Sequence, residues 1–430
     1  MSFAFAICLL TVLIMAGMGA PVSLAMIIGA IAYVAMRGQD LALPAEQLIQ
    51  GLYDGFVLLA VPLFIVAANI MNAGTISERL LNFVVAMVGR FRGGLGHVNI
   101  VASLIFAGMS GSAVADAAGI GKLIIEMMRK NGRYPAGYAA AITAASSTIG
   151  PIIPPSIPMV LYSVVSDASI GYLFLGGILP GLFMGAVLMA INGWIARRRD
   201  FKVETPVPAR EIPWLTLNAL PALLMPVILL TGIYGGMTTP TEAAAVAALY
   251  ALILAGLFYR ALSFKTIYNI MSNSARQSAA VGLVIGGALI FNYIVASENI
   301  PTKVGAFINA LEISPILFLL GVNVLLLLLG CLLDAATIIL VIIPLFIPAC
   351  RHLGIDLVHF GVVAVVNCMI GLITPPYGIV LFVINAVTGI PLREMISEVW
   401  LFIAVLIAAL IAMILFPEVV LFVPRLFGYT

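Results

Sequence analysis

Gly150-Pro-Ile-Ile-Pro154-Pro155 and Gly371-Leu-Ile-Thr-Pro375-Pro376 are the two stretches on which the fold turns. Both sit inside long apolar sequence. Paired prolines remove two amide donors and keep the preceding residue out of the right-handed helical region. Each stretch therefore predicts a helix that stops and restarts. The two lie at an offset of 371 − 150 = 221. Two further motifs recur in the same order at nearly that spacing. Asp116-Ala-Ala returns as Asp334-Ala-Ala (334 − 116 = 218), and Gly17-Met-Gly-Ala-Pro21 returns as Gly236-Met-Thr-Thr-Pro240 (236 − 17 = 219). The chain reads as two halves, 1–200 and 211–430. The polar connector Arg197-Arg198-Arg199-Asp200-Phe201-Lys202 lies between them.

The surrounding sequence demands a membrane. Of 430 residues, 63% are hydrophobic and only 9% are charged, against about 25% charged in a soluble domain. Runs at 3–15, 217–233 and 401–416 approach the ~20 apolar residues that cross a bilayer core. The ~10-residue alternating segments of a membrane barrel do not occur. The N-terminus has no basic leader region and reads as a first span rather than a cleaved signal. A net charge of +2 with no basic, aromatic-interleaved patch gives no reason to expect nucleic acid. Cys8, Cys331, Cys350 and Cys368 lack metal-ligand spacing, and His97, His352 and His359 are scattered. No transition-metal site, hydrolytic triad or GxxxxGK[ST] phosphate loop is present, so the chain does not hydrolyse ATP itself.

Positive charge suggests how the halves are oriented, because Lys and Arg mark the cytoplasmic side. Arg90 and Arg92 precede the segment 97–129, and Arg129, Lys130 and Arg133 follow its apolar part. A segment with both ends on one side must turn back within the membrane. Its small, polar tip, Gly108-Met-Ser110-Gly111-Ser112, suits such a turn. The matching segment, 314–350, turns near Gly330–Asp334 and has weaker positive flanks: Lys303 with Glu312, and Arg351 with Asp356. That fits the opposite side. The expected fold is an all-α polytopic membrane protein with an inverted-topology repeat. It has about ten transmembrane helices plus two re-entrant helical hairpins. Broken helices follow the hairpins at 136–167 and 356–388. Amphipathic stretches run along the interface at about 74–91 and 301–312. The first places Ile76, Leu80, Phe83, Val84 and Met87 opposite Glu78 and Asn82.

The breaks and tips carry the candidate chemistry. A carbonyl freed in mid-membrane is costly without a partner, and a dehydrated sodium ion is a suitable one. The alternative is a plain proline kink. The pattern is doubled and flanked by hydroxyls: Ser146, Ser147, Thr148 and Ser156 in one half, Thr374 in the other. Ser110 and Ser112 beside Gly111, and Gly330 to Asp334, offer the facing oxygens. Unwound carbonyls in discontinuous transporter helices bind cations in this way. Asp116 and Asp334 are intramembrane acids, read either as caps and support for the hairpin helices or as direct ion or proton groups. Glu242, after Thr238-Thr239-Pro240-Thr241, reads as a first-turn cap. Lys122 and Glu126 either pair at i, i+4 or leave the lysine to attract an anionic substrate.

Read together, Gly108-Met-Ser-Gly-Ser-Ala-Val-Ala-Asp-Ala-Ala, Gly150-Pro-Ile-Ile-Pro-Pro-Ser, Thr239-Pro-Thr-Glu-Ala-Ala-Ala-Val and Leu329-Gly-Cys-Leu-Leu-Asp resemble the large membrane subunit of tripartite ATP-independent periplasmic (TRAP) transporters, DctM-like, over essentially the whole chain. The resemblance implies a multi-pass protein of the bacterial inner membrane with an ion-transporter-like fold and an elevator mechanism. It implies two partners, a small four-helix membrane subunit and a periplasmic substrate-binding protein. It also implies sodium-driven import of a carboxylate, such as a C4-dicarboxylate or sugar acid. One sodium site would involve Ser110, Ser112, Gly150, Ile153 and Pro155. The other would involve Gly330, Gly371, Thr374 and Pro376. Gly111, Asp116, Ser156, Asp334 and Thr337 would support them or touch substrate. The arm Gly121-Lys-Leu-Ile-Ile-Glu-Met-Met departs from the family, which commonly has an uncharged arm with a proline there.

Three other readings compete. A stand-alone sodium–dicarboxylate symporter would transport without a binding protein. A membrane-embedded transferase would need a DDxxD-like or His-Asp constellation, which the sequence lacks. A passive channel would not need two broken helices facing two hairpins.

Overall fold

The computed structural model describes residues 2–72, 75–201, 203, 207–310 and 312–429. Lys202 of the connector, Gly74 and Leu311 in the amphipathic stretches, and the chain ends Met1 and Thr430 lie outside the described residues. Every regular element among the described residues is helical, and extended pairing is limited to one bridge between Arg92 and Val203.

Five helices are long and apolar enough to cross a membrane alone: Ile170–Arg198, Ile212–Tyr234, Pro240–Phe258, Phe264–Ser297 and Leu392–Leu415. Eight more apolar helices have 10–17 residues. Two of these, Phe3–Gly17 and Val22–Met36, fall where full spans were expected. At 1.5 Å per residue a 15-residue helix reaches about 22 Å, short of a ~30 Å core. The cause is local: Gly19 sits at φ 85° and Pro21 caps the second helix, so the chain turns between them.

The other six short apolar helices, together with the arm 113–129 and the helix Ala136–Ser147, build two matched units. In the first, the arm Gly94–Ser110 ends at Gly111, whose φ of 57° only glycine adopts freely. Ser112 is extended and its hydroxyl accepts the Ala115 amide at 3.3 Å, which starts the returning arm 113–129. The broken helix follows as Ala136–Ser147 and Ile157–Ser166. In the second unit Pro315–Gly330 leads to a turn at 331–334 and an arm at 335–352. Its broken helix is Leu357–Gly371 and Ile379–Thr388. Each returning arm contains one widened turn, at Ala117–Gly121 and at Ile338–Ile342. The bonds Pro154–Pro155 and Pro375–Pro376 are both cis.

The widened turns lie at an offset of 338 − 117 = 221, the spacing of the Gly–Pro-Pro breaks. This register corrects the expected Asp116–Asp334 match. Asp116 corresponds to Thr337 (337 − 116 = 221), and the two helix-capping side chains are Ser112 and Asp334 (334 − 112 = 222). Helix phase fixes which residues occupy equal positions, and a three-residue motif rich in alanine does not.

The amphipathic helices are Thr75–Val88 and Ile300–Ala310. In the first, Ile76, Leu80 and Val84 are fully buried, while Glu78 and Asn82 are exposed. Met87 lies outside the apolar face, 49% exposed.

Candidate functional site

The tip of the first hairpin rests in the first helix break. A Cβ at Gly111 would collide with the Pro155 carbonyl oxygen. A Cβ at Gly150 would lie 3.6 Å from the Ser112 carbonyl oxygen. Ser110, Gly111, Ser112, Gly150 and Pro155 are thus brought together. At Gly111 only glycine lets the two backbones approach so closely. The Ser110 hydroxyl is buried and makes no hydrogen bond among the described residues. The Ile153 side chain packs on Gly181.

The hydroxyls after the first half-helix are spent locally. Ser147 donates to the Ala144 carbonyl at 2.8 Å and Thr148 to Ala145 at 2.6 Å. Ser156 spans the break: its hydroxyl donates to the Pro151 carbonyl and accepts the Met159 amide at 3.2 Å. It therefore ties one end of the break to the start of Ile157–Ser166.

The second site is tighter. A Cβ on Gly371 would meet the Gly330 carbonyl oxygen at 3.1 Å, so the hairpin and the broken helix touch backbone to backbone. Thr374 is buried and donates to the Ile370 carbonyl at 2.7 Å. That bond uses the proton and leaves the oxygen lone pairs available. Pro376 is exposed. Asp334 accepts the Thr337 amide at 3.0 Å and the Thr337 hydroxyl at 2.6 Å, so these two residues form one cap.

Asp116 does not cap. It is 1% exposed, and neither carboxylate oxygen has a hydrogen bond among the described residues. Ser103 beside it is engaged with Ser146 at 3.1 Å. Glu242 forms the expected capping box with Thr239. Lys122 and Glu126 lie 3.9 Å apart, the paired arrangement of the two that the sequence allowed.

Between the two units lies a cavity of about 600 Å³, within the size range of small-molecule sites. The first hairpin contributes Ser110 and Ser112, and the first broken helix contributes Pro151. The second unit contributes Ala335, Met369 and Leu372. The opposite wall carries Asn69, Asn72 and Gln277. Another cavity, of about 640 Å³, is lined by Glu78, Glu126, Arg129 and Lys130 and includes no residue of either tip.

Residues 7–419 match the family model described as the tripartite ATP-independent periplasmic transporter, DctM component. The chain belongs to this family. It is 40% identical over 413 residues to the sialic acid TRAP transporter large permease protein SiaM of Vibrio cholerae, covering 96% of each chain. It is 38% identical over 377 residues to the C4-dicarboxylate TRAP transporter large permease protein DctM of Pseudomonas aeruginosa, covering 87% of this chain and 88% of the relative. In fold it is similar to the Alcanivorax borkumensis YdaH transporter, with a TM-score of 0.61, 16% identity and coverage of 85% and 86%. The chain is therefore a TRAP large permease, a multi-pass membrane protein and a transporter subunit rather than an enzyme.

Two features of this TRAP permease escaped the sequence reading. One is a pair of buried polar bridges from hairpin to broken helix. Ser103 joins Ser146 in the first unit, and Asn367 donates to the Asn323 side chain at 2.9 Å in the second. The offsets, 323 − 103 = 220 and 367 − 146 = 221, hold the signal that could have found them. The other is the amide wall of the cavity. Asn69 and Gln277 lie too far apart in sequence for spacing to link them.

Proposed function

We propose that this permease imports a carboxylate across the bacterial inner membrane, coupled to sodium. One sodium ion sits where the first hairpin tip meets the first helix break, and a second sits at the Gly330–Gly371 contact. A periplasmic binding protein delivers the substrate, and a small four-helix membrane subunit completes the membrane complex. The halves 1–200 and 211–430 act as inverted repeats. Their hairpins and broken helices move together, as an elevator, against the remaining helices. Sodium stabilises the arrangement that holds substrate, and that differential affinity is what couples the two.

The observation that carries this reading is the Ser110 hydroxyl. It is buried, lacks a protein partner among the described residues and lines the cavity beside backbone that only glycine permits. A buried hydroxyl without a partner costs about 1–3 kcal/mol. A bound cation in contact with it removes that cost. The named substrates of the two relatives, sialic acid and C4-dicarboxylates, are carboxylates and support the cargo class.

The test is uptake by vesicles holding the membrane complex, with the binding protein outside. An inward sodium gradient should drive accumulation of a carboxylate. Ser110→Ala, Thr374→Val and Gly371→Ala should each reduce sodium-dependent uptake. Full activity in all three variants would overturn the ion sites.

A further inference from the structure

The cavity is polar on two of its walls only. The first hairpin supplies the hydroxyls of Ser110 and Ser112, whereas the second unit supplies Ala335, Met369 and Leu372, with no polar side chain. Beside Ala335 stands Asp334, a carboxylate held at the second tip by the amide and hydroxyl of Thr337. None of the described lining residues is charged. Across from the tips, Asn69 donates to Ser274 at 2.9 Å and to the Gln277 Oε1 at 3.1 Å. Pinned in this way, Asn69 keeps its Oδ1 acceptor and Gln277 keeps its Nε2 donors for a ligand.

We infer that this cavity takes a hydroxylated monocarboxylate in preference to a dicarboxylate. The inference rests on the carboxylate reading above and narrows it. The single carboxylate lies at the Ser110–Ser112 tip. The hydroxylated remainder is bound by Asn69 and Gln277, which offer an acceptor and donors suited to hydroxyl groups. A second carboxylate has nowhere to go. It meets apolar side chains on one side, where the Asp334 carboxylate already balances the second sodium ion, or uncharged amides on the other, and an ion buried without a counter-charge is strongly disfavoured. Asn69 and Gln277 are therefore specificity-determining residues.

The experiment measures direct binding to the purified membrane complex in lipid nanodiscs with sodium present. Leaving out the binding protein removes its own selectivity. Gluconate and succinate serve as probes. Gluconate should bind at least about tenfold tighter than succinate. Asn69→Ala and Gln277→Ala should each weaken gluconate by about three- to tenfold, leaving succinate unchanged. Gln277→Lys should reverse the preference by supplying the missing cation. Unliganded melting temperatures identify any variant that fails to fold, and Gln277→Lys, as a gain of succinate binding, cannot be mimicked by misfolding. Equal or tighter succinate binding, undetectable gluconate binding, or variants that shift both probes equally would each overturn the inference. The same titrations in potassium separate the two claims. A preference retained without any sodium dependence counts against sodium coupling and leaves the monocarboxylate selectivity standing.

Discussion

A methyl group placed on Gly371 would stand 2.8 Å from the Cα of Gly330 and 2.9 Å from its carbonyl carbon. Both neighbours are backbone, so no side chain can swing aside. Gly371→Ala must push the hairpin and the broken helix apart, and overpacking of this kind costs about 1–3 kcal/mol. The purified variant should melt earlier by a corresponding amount. Gly330→Ala meets Gly371 at 3.2 Å and should lose less. Unchanged melting for both would mean that the contact is loose.

Ser110 and Ser156 should separate binding from folding. Ser156 both caps a helix and closes across the break. Ser156→Ala should cost about 0.5–2 kcal/mol, whatever salt is present. Ser110 makes no hydrogen bond to lose among the described residues. Ser110→Ala should fold as stably as wild type in potassium and gain less stability than wild type on adding sodium. Melting curves in the two salts check both. The same sodium shift in Ser110→Ala and wild type would remove Ser110 from the ion site.

Tyr138 donates its hydroxyl to the Asn192 Oδ1, while the Asn192 amide holds the Gly93 carbonyl at 3.3 Å. All of this is buried at the entry to the first hairpin. Tyr138→Phe leaves the asparagine oxygen unsatisfied, at about 1–3 kcal/mol. Stability should fall while sodium affinity is kept. A lost sodium response with unchanged stability would contradict the structural role.

Glu298 lies just past the helix Phe264–Ser297. The Ser2 hydroxyl chiefly, with the Ser2 amide and the Tyr33 hydroxyl, holds its carboxyl below the usual range against the opposing effect of burial. A depressed carboxyl contributes stability that is fully present above its unfolded pKa of about 4.3. That contribution is lost as pH falls through the lower folded value. Acid titration of the melting temperature should show this loss in wild type, and Glu298→Gln should flatten it. An identical acid profile in both proteins would show that the carboxylate does not tie the N-terminus down.

Much of this architecture was legible because proline and glycine act locally. Pro154-Pro155 and Pro375-Pro376 mark where two helices stop, and Gly111 marks where a hairpin can turn. The capping groups were harder to read. Asp116 and Ser112 sit four residues apart in one polar tip, and only the backbone shows that the serine starts the arm while the aspartate is buried without a hydrogen bond among the described residues. The widened turns that fix the true register leave no compositional trace, since Ala117–Gly121 and Ile338–Ile342 share no residue pattern. The amide wall was beyond reach for another reason. It exists only because Ala60–Met71 packs on Phe264–Ser297, and tertiary packing of this kind has no signature in either segment.

The polar groups of the cavity belong to parts of the chain that can change separately. The serines flank Gly111, whose approach to the Pro155 carbonyl leaves no room for a side chain, and they line the proposed ion site. The amides stand on regular helices, where one side chain can replace another without moving the main chain. A lineage can therefore explore new cargo at positions 69 and 277 while inheriting its machinery at positions 110–112 intact. Gene duplication followed by a few changes on that one wall would be a short evolutionary route from one nutrient to the next.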